Sequence, residues 1–421
     1  MDAPLSPRRV LISVGLGTSL SLIGDTALYT VLPTHTADAG VALASLGILL
    51  SANRWIRLLL NGPAGVAYDR RPRRFLFVPA LFIGALSTAL YATPYGFWPL
   101  FLGRILWGIA WVGIWIGGNT IILDVATQTN RGRWVGYYHM TFFFGAAAGA
   151  LLGGLLTDLF GYSQAMIVAA SLTLFGAFVA LVFLPEARHL HQTTSTAADE
   201  EIVEDDPLVK HPDPQTTGSQ LKDRSFLAAL LLLGTNRLVI AGLLLSTLGL
   251  YLAGELGDSA SLGRFTLGVA SLTGIMLSIN ALVSMVSAPA FGSLSDRLGN
   301  RWRTAAVGLL PGITGFAFLG IASPLLAMLG VPLAAVSSGS SQSLSITLVE
   351  EAGSPQYRSR RLGILFTTGD LGSAIGPLLA FALIPLVGIR NLYLLAAILL
   401  AVMFLIAWYQ STRDSQDRAV V

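Results

Sequence analysis

Apolar stretches follow one another along nearly the whole chain, separated by short polar turns. They fall at 10–33, 41–66, 75–95, 98–123, 132–158, 162–184, 226–252, 265–293, 303–322, 325–350, 361–386 and 389–409. Each reaches the length that crosses a bilayer, about 20 residues. A membrane β-barrel would show short alternating strands instead, and these runs do not alternate. The pattern predicts an all-α membrane protein of 12 transmembrane helices, six on each side of one long polar break at 185–224. That break carries Asp199-Glu200-Glu201, Glu204-Asp205-Asp206 and the prolines Pro207, Pro212 and Pro214. Such a composition cannot bury a core. A disordered cytoplasmic linker is expected there, joining an N-terminal six-helix bundle at 1–184 to a C-terminal one at 225–421.

The two bundles repeat each other. Gly47–Arg70 and Gly274–Arg297 align at an offset of 227 positions, and both end in G-x-x-x-D-R. The same offset carries Arg131-x-Arg133-x-x-Gly136 onto Arg358-x-Arg360-x-x-Gly363, and Gly145-x-x-x-Gly149 onto Gly372-x-x-x-Gly376. Two related bundles with a site between them near mid-membrane are a known transporter plan. The repeat therefore predicts pseudo-symmetric halves.

Composition agrees with the membrane reading. Of 421 residues, 53% are hydrophobic and only 12% charged, against roughly 25% charged in soluble domains. The net charge of +3 says little about nucleic acid, and no nucleic-acid partner is expected. Where the basic residues lie says more, because cytoplasmic loops collect Lys and Arg. With both termini inside, the inner loops and tails hold 20 Lys and Arg residues and the outer loops only Arg264 and Arg390. A multi-pass protein of the inner (plasma) membrane is expected, with both termini cytoplasmic and the lipid bilayer as its main partner. A monomer is expected. Ala37-Asp38-Ala39 imitates a signal-peptide cleavage site, but the apolar run before it exceeds the usual ~7–15 residues. There is no cysteine, which excludes disulfides and thiolate metal sites.

Gly65-x-x-x-Asp69-Arg70-x-Pro72-Arg73-Arg74 lies between the second and third spans, and Gly292-x-x-x-Asp296-Arg297-x-Gly299-Asn300-Arg301 lies between the eighth and ninth. Both resemble the signature loop of the major facilitator superfamily, G-x-x-x-D-R-x-G-R-R/K. The first copy has Pro72 where the family has glycine. Gly103-Arg104-x-x-x-Gly108 resembles the family's fourth-helix motif, whose arginine is associated with proton coupling. Gly145-x-x-x-Gly149-Ala150-x-x-Gly153-Gly154 resembles the fifth-helix motif of its 12-helix drug:proton antiporters, although that motif has proline where Ala150 stands. Pro377 follows Gly376 in the second copy instead. The resemblance covers the whole chain. It implies the superfamily's fold, alternating access and a cavity lined by helices one, four, seven and ten.

The residue types in the loop motif suggest a conformational latch. A glycine admits close helix approach, and an aspartate at the boundary can accept from a helix N-terminus. Gly65, Asp69, Arg70, Arg73, Gly292, Asp296, Arg297 and Arg301 are the candidates, with a purely topogenic role for the arginines as the alternative. Gly145, Gly149, Gly153, Gly372, Gly376 and Pro377 are candidates for helix packing.

A charge at a membrane-helix centre costs at least about 2.5–3.5 kcal/mol, so each needs a reason. At the repeat offset Arg54 and Arg57 fall on Ala281 and Ser284, Arg104 on Val331, His139 on Phe366, and Asp370 on Phe143. One half keeps the fold without these groups, which points to function. Asn53 matches Asn280 and Asp124 matches Glu351, so those read as architectural. Asp25 and Arg104 fall at similar depth and can form an ion pair or a proton site. Asp370 is a competing proton carrier, with Arg237 as its candidate partner. Arg54 and Arg57 lie on one helical face, where they can neutralise Asp25 or bind an anion. Trp107, Trp111 and Trp115 share the Arg104 face of helix four and are candidates for an aromatic cavity wall or for packing. Asn119, Gln342 and the run Ser337-Ser338-Gly339-Ser340-Ser341 are further cavity candidates.

These features predict a secondary active transporter, with proton-coupled efflux of a hydrophobic or amphipathic small molecule as the leading reading. An anionic metabolite bound by Arg54 and Arg57 is the alternative, and a non-transporting membrane sensor a remote one. An enzyme is not expected. A P-loop needs a lysine after glycine, and the only lysines are Lys210 and Lys222. There is no H-E-x-x-H and no G-x-S-x-G. No catalytic residue, metal site or cofactor is expected, and the proton gradient would supply the energy.

Overall fold

The computed structural model describes residues 7–127, 130–185, 224–262, 265–321, 323–351 and 358–420. The acidic linker expected at 185–224 lies almost wholly outside the described residues. Twelve helices long and apolar enough to cross a membrane are present among those described. They are α1 (Pro7–Val31), α2 (Leu46–Arg70), α3 (Arg73–Tyr91), α4 (Phe97–Val125), α5 (Arg131–Phe160) and α6 (Tyr162–Phe183). The second half has α7 (Arg224–Leu256), α8 (Val269–Leu298), α9 (Arg301–Gly320), α10 (Pro324–Glu351), α11 (Arg358–Val387) and α12 (Ile389–Val420). Helices satisfy their own backbone polar groups, which the bilayer core cannot do. The connections are tight: Gly161 alone joins α5 to α6, at φ +86°.

The eighth span differs from its prediction. Residues 265–268 are not helical; β2 (Phe265–Gly268) pairs antiparallel with β1 (Ser259–Leu262). Gly257, at φ +73°, ends α7, and α8 starts only at Val269. Apolarity alone does not separate a short hairpin from a helix end. The seventh span holds a second departure, since Arg237–Leu244 is a π-helical segment within α7.

Buried apolar residues gather into two clusters. One is built almost entirely from α1–α6 and the other almost entirely from α7–α12. Between the halves, α5 packs on α8 and α2 on α11. The repeat carries α2 onto α8 and α5 onto α11, so each contact is the image of the other. The helix ends at the termini and at the α2–α3, α4–α5, α8–α9 and α10–α11 connections form a basic side.

The halves meet over one end of these helices only. In α2 the buried residues are Leu46, Gly47, Leu49–Asn53 and, further on, Tyr68 alone. In α5 burial is almost confined to Gly145–Thr157. Toward the basic side, a Cβ added at Gly62, Gly65, Gly132, Gly136 or Gly363 would meet nothing within 4 Å. The halves are closed on the side opposite the basic one and part toward the basic side.

Candidate functional site

Arg104 of α4 is fully buried and fully bonded. Its Nη1 donates to the Asp25 carboxylate of α1 and, at 3.5 Å, to the Tyr91 hydroxyl. Its Nη2 donates to the Tyr29 hydroxyl at 3.0 Å and to the Leu50 carbonyl at 3.3 Å. Its Nε donates to the Leu49 carbonyl at 3.1 Å. The expected Asp25–Arg104 pair therefore exists, but as a strut tying α1, α2, α3 and α4 inside one half. Arg54 and Arg57 do not neutralise Asp25; Arg104 does.

The second charged pair crosses between the halves. Arg57 Nη2 donates to Asp370 Oδ1 at 2.7 Å, and Asn61 Nδ2 donates to Asp370 Oδ2 at 3.1 Å. Arg57 and Asn61 are four apart, so they share one face of α2. This corrects the expected Asp370–Arg237 pairing. Arg237 stands beside α11, with Gly369 against its side-chain stem, and its charge faces Asp370, Arg54 and Arg57 without an ion pair. The helix pair α2–α11 decides the matter, and depth along separate helices does not reveal it. Asn61 is absent from the candidates the sequence singles out; its one signal is the spacing of four from Arg57.

The tryptophan face of α4 is a stack. Trp107 and Trp111 rings lie 5.8 Å apart, Trp111 and Trp115 5.6 Å, and Trp115 stacks on His139 of α5 at 5.0 Å. His139 Nε2 lies 3.2 Å from Asn119 Oδ1. Trp107 is 1% exposed and Trp111 6%, so both belong to the core of the first half and do not wall a cavity. Trp115, His139 and Asn119 are half-buried and remain available to one. Gln342 is half-buried too. Two of its serine neighbours are packing: Ser340 donates to the Gly308 carbonyl at 3.3 Å, and Ser337 fills the space beside Gly312.

Two of the latch candidates are engaged inside their own halves. Arg73 pairs with Asp124 at 3.0 Å within the first half, and Arg301 with Glu351 at 2.5 Å within the second. Asp124 and Glu351 correspond at the repeat offset, but Arg73 corresponds to Asn300, so the next arginine does the work in the second copy. Asn300 instead caps α9, accepting from Arg303 N–H at 2.9 Å. Gly65 has open space around it, and Gly292 meets only the Ser343 hydroxyl, at 3.4 Å; neither is a close-packing site here. Asp69, Arg70, Asp296 and Arg297 lie at the basic ends of α2 and α8, where the halves part.

The packing glycines are close-packing sites. A Cβ at Gly145 would lie 2.6 Å from Ser19 Cα, and one at Gly153 2.6 Å from Ala27 Cα, both on α1. Gly149 sits against Ile23, and Gly376 against Gly242 in the π segment of α7. Gly372 faces the Gly234 backbone, while the Pro377 carbonyl faces Gly47 across the halves. On the closed side, Asp158 of α5 accepts from Ser271 N–H of α8, a contact that no motif or spacing in the sequence signals.

A family model described as Major Facilitator Superfamily matches residues 14–279 and 243–420. The tetracycline resistance protein, class G, of Vibrio anguillarum is 24% identical over 365 residues, covering 85% of this chain and 86% of that one. The multidrug resistance protein MdtG of Escherichia coli is 22% identical over 404 residues, covering 94% and 93%. Among solved structures, a bacterial homologue of the human lysosomal transporter Spinster, inward-facing and unoccupied, superposes with a TM-score of 0.77 at 18% identity, covering 98% of both chains.

Proposed function

The chain belongs to the Major Facilitator Superfamily, and from that premise we propose that it is a proton-coupled exporter of an amphipathic small molecule, working by alternating access. The basic side is assigned to the cytoplasm, because cytoplasmic loops collect arginine and lysine. The conformation described is then inward-facing, ready to take substrate from the cell. Efflux is supported by the resistance proteins among its relatives and by the half-buried aromatic edge at Trp115.

The observation that carries the coupling is the bond from Arg57 and Asn61 to Asp370, reaching from one half to the other. As a carboxylate, Asp370 accepts from both and holds α2 to α11. A proton delivered to it removes the charge that Arg57 binds and loosens that link. A guanidinium bonds a carboxylate more strongly than a neutral acid, so proton release and link formation favour each other. Asp25 is the poorer carrier, because Arg104 holds it in a bonded core.

The test uses proteoliposomes with an imposed pH gradient and a panel of amphipathic aromatic dyes plus tetracycline. Asp370→Asn is expected to abolish gradient-driven transport while retaining substrate counterflow. Gradient-driven transport undiminished in Asp370→Asn overturns the coupling assignment.

A further inference from the structure

Six charged side chains lie within the spans of α1, α2, α4, α7 and α11, and their charges do not balance. Arg54, Arg57, Arg104 and Arg237 are cationic, while Asp25 and Asp370 are the anionic groups facing them. Asp25 is taken by Arg104, and Asp370 by Arg57. Neither Arg54 nor Arg237 has a carboxylate within ion-pair reach among the described residues. Arg54 Nε is buried with no hydrogen-bond partner. Its guanidinium stands beside the Tyr29 hydroxyl, which already accepts from Arg104 and donates to the Leu50 carbonyl. Arg237 is half-buried at the start of the π segment, and such wide turns occur often at functional sites. Both cations face Asp370 from opposite halves, Arg54 on α2 and Arg237 on α7.

Two guanidinium groups without an ion pair of their own inside a membrane protein are costly. A guanidinium presents a planar fork of donors that matches a carboxylate or phosphate. We propose that Arg54 and Arg237 together seat an acidic group of the substrate, so that the transported molecule is an amphipathic organic anion. The assignment rests on the transporter reading above and narrows its substrate class. It also revises the sequence expectation, because Arg57 is engaged by Asp370 and Arg237 takes its place. By rise along each helix, Arg54, Arg237 and Trp115 lie at comparable depth, roughly 15–25 Å from the basic ends at 1.5 Å per residue. Because the two guanidinium groups belong to different halves, an anion between them would also tie the halves together when occupied.

The test is equilibrium binding to the purified full-length protein, which needs no gradient and no transport. Three probes share one aromatic body and differ in the head group: naphthylacetate, naphthylacetamide and naphthylethylammonium. Naphthylacetate is expected to bind at least tenfold more tightly than the other two. Arg54→Gln and Arg237→Gln should each remove that preference, and Arg54→Lys should keep part of it, with thermal unfolding of the ligand-free variants confirming that they fold. Naphthylacetate binding no tighter than the amide, or a carboxylate preference that survives the Arg54→Gln/Arg237→Gln double variant, overturns the proposal. Selective binding without gradient-driven uptake would instead fault the transport reading and leave this one standing.

Discussion

The Asp158 carboxylate, at the end of α5, accepts a hydrogen bond of 2.7 Å from the backbone N–H of Ser271, in the first turn of α8. The two residues belong to different halves, and the contact lies on the closed side. A helix N-terminus carries unpaired N–H groups and partial positive charge, so an anion there is stabilising. Gly268 leaves room for the carboxylate, since a Cβ at that position would collide with it. The arrangement can exist only while the closed side is closed.

Removing that carboxylate should therefore shift the conformational equilibrium. Hydrogen bonds to charged groups contribute about 1.5–3 kcal/mol, which corresponds to a tenfold or larger change in populations. The chain has no cysteine, so a pair of spin labels at Phe160→Cys and Leu386→Cys needs no prior substitutions. Pulsed EPR should show the long-distance population rising about tenfold in Asp158→Ala. An unchanged distance distribution would show that Asp158 does not help hold that side closed.

The Asp25–Arg104 strut predicts a stability defect rather than a coupling defect. Removing one partner of a buried ion pair costs about 3–5 kcal/mol, because the other charge is left uncompensated. Asp25→Asn and Arg104→Gln should each lower the unfolding temperature of the purified protein strongly. The double variant should recover part of the loss, since no charge is then left alone. Unfolding temperatures equal to the parent's would contradict the strut.

How far these pairs are legible in the sequence depends on which helices meet. Depth alone pairs Asp25 with Arg104, and depth suffices because α1 and α4 lie in the same bundle. Depth also offers Arg237 to Asp370, yet Arg57 lies at a similar level. The choice needs the packing of α2 on α11, and no spacing within one helix contains that. A π turn adds a residue to the helix and rotates the residues beyond it by about 100°, so the face of α7 past Arg237 cannot be projected either. The loop motifs name Arg73 and Arg301, but not the acidic partners Asp124 and Glu351 that hold them inside their own halves. Gly145, Gly149 and Gly376 are legible because small residues four apart have one common use in a membrane helix.

The glycines divide into those used now and those left open. Gly145→Val forces a side chain into the Ser19 backbone and should destabilise by about 1–3 kcal/mol, as overpacking does. Gly65→Ala meets nothing within 4 Å in this conformation and should leave unfolding unchanged or slightly raise its temperature, since alanine favours a helix by roughly 0.5–1 kcal/mol. If closing the basic side brings Gly65 against the other half, the same alanine should slow transport. Equal stability losses in the two variants would show that Gly65 is packed after all.

Trp107 and Trp115 share a helix face and a ring stack but differ in burial, which separates stability from recognition. Trp107 fills the core beside Gly84, whose Cβ position lies 3.3 Å from its ring. Trp107→Ala removes that volume, and large-to-small changes of this kind cost about 3–5 kcal/mol. Trp115 is half-buried and stacked on His139, so its truncation should cost much less. What Trp115→Ala should weaken is binding of aromatic ligands, by about 1–1.5 kcal/mol if one ring-to-ring contact is lost, or roughly tenfold in Kd. Trp115→Phe should restore most of that affinity, because a ring remains to stack. Measuring unfolding temperature and ligand Kd on both variants checks the division. A Trp115→Ala protein that loses stability but binds aromatic ligands as tightly as the parent would return Trp115 to the core with its two neighbours.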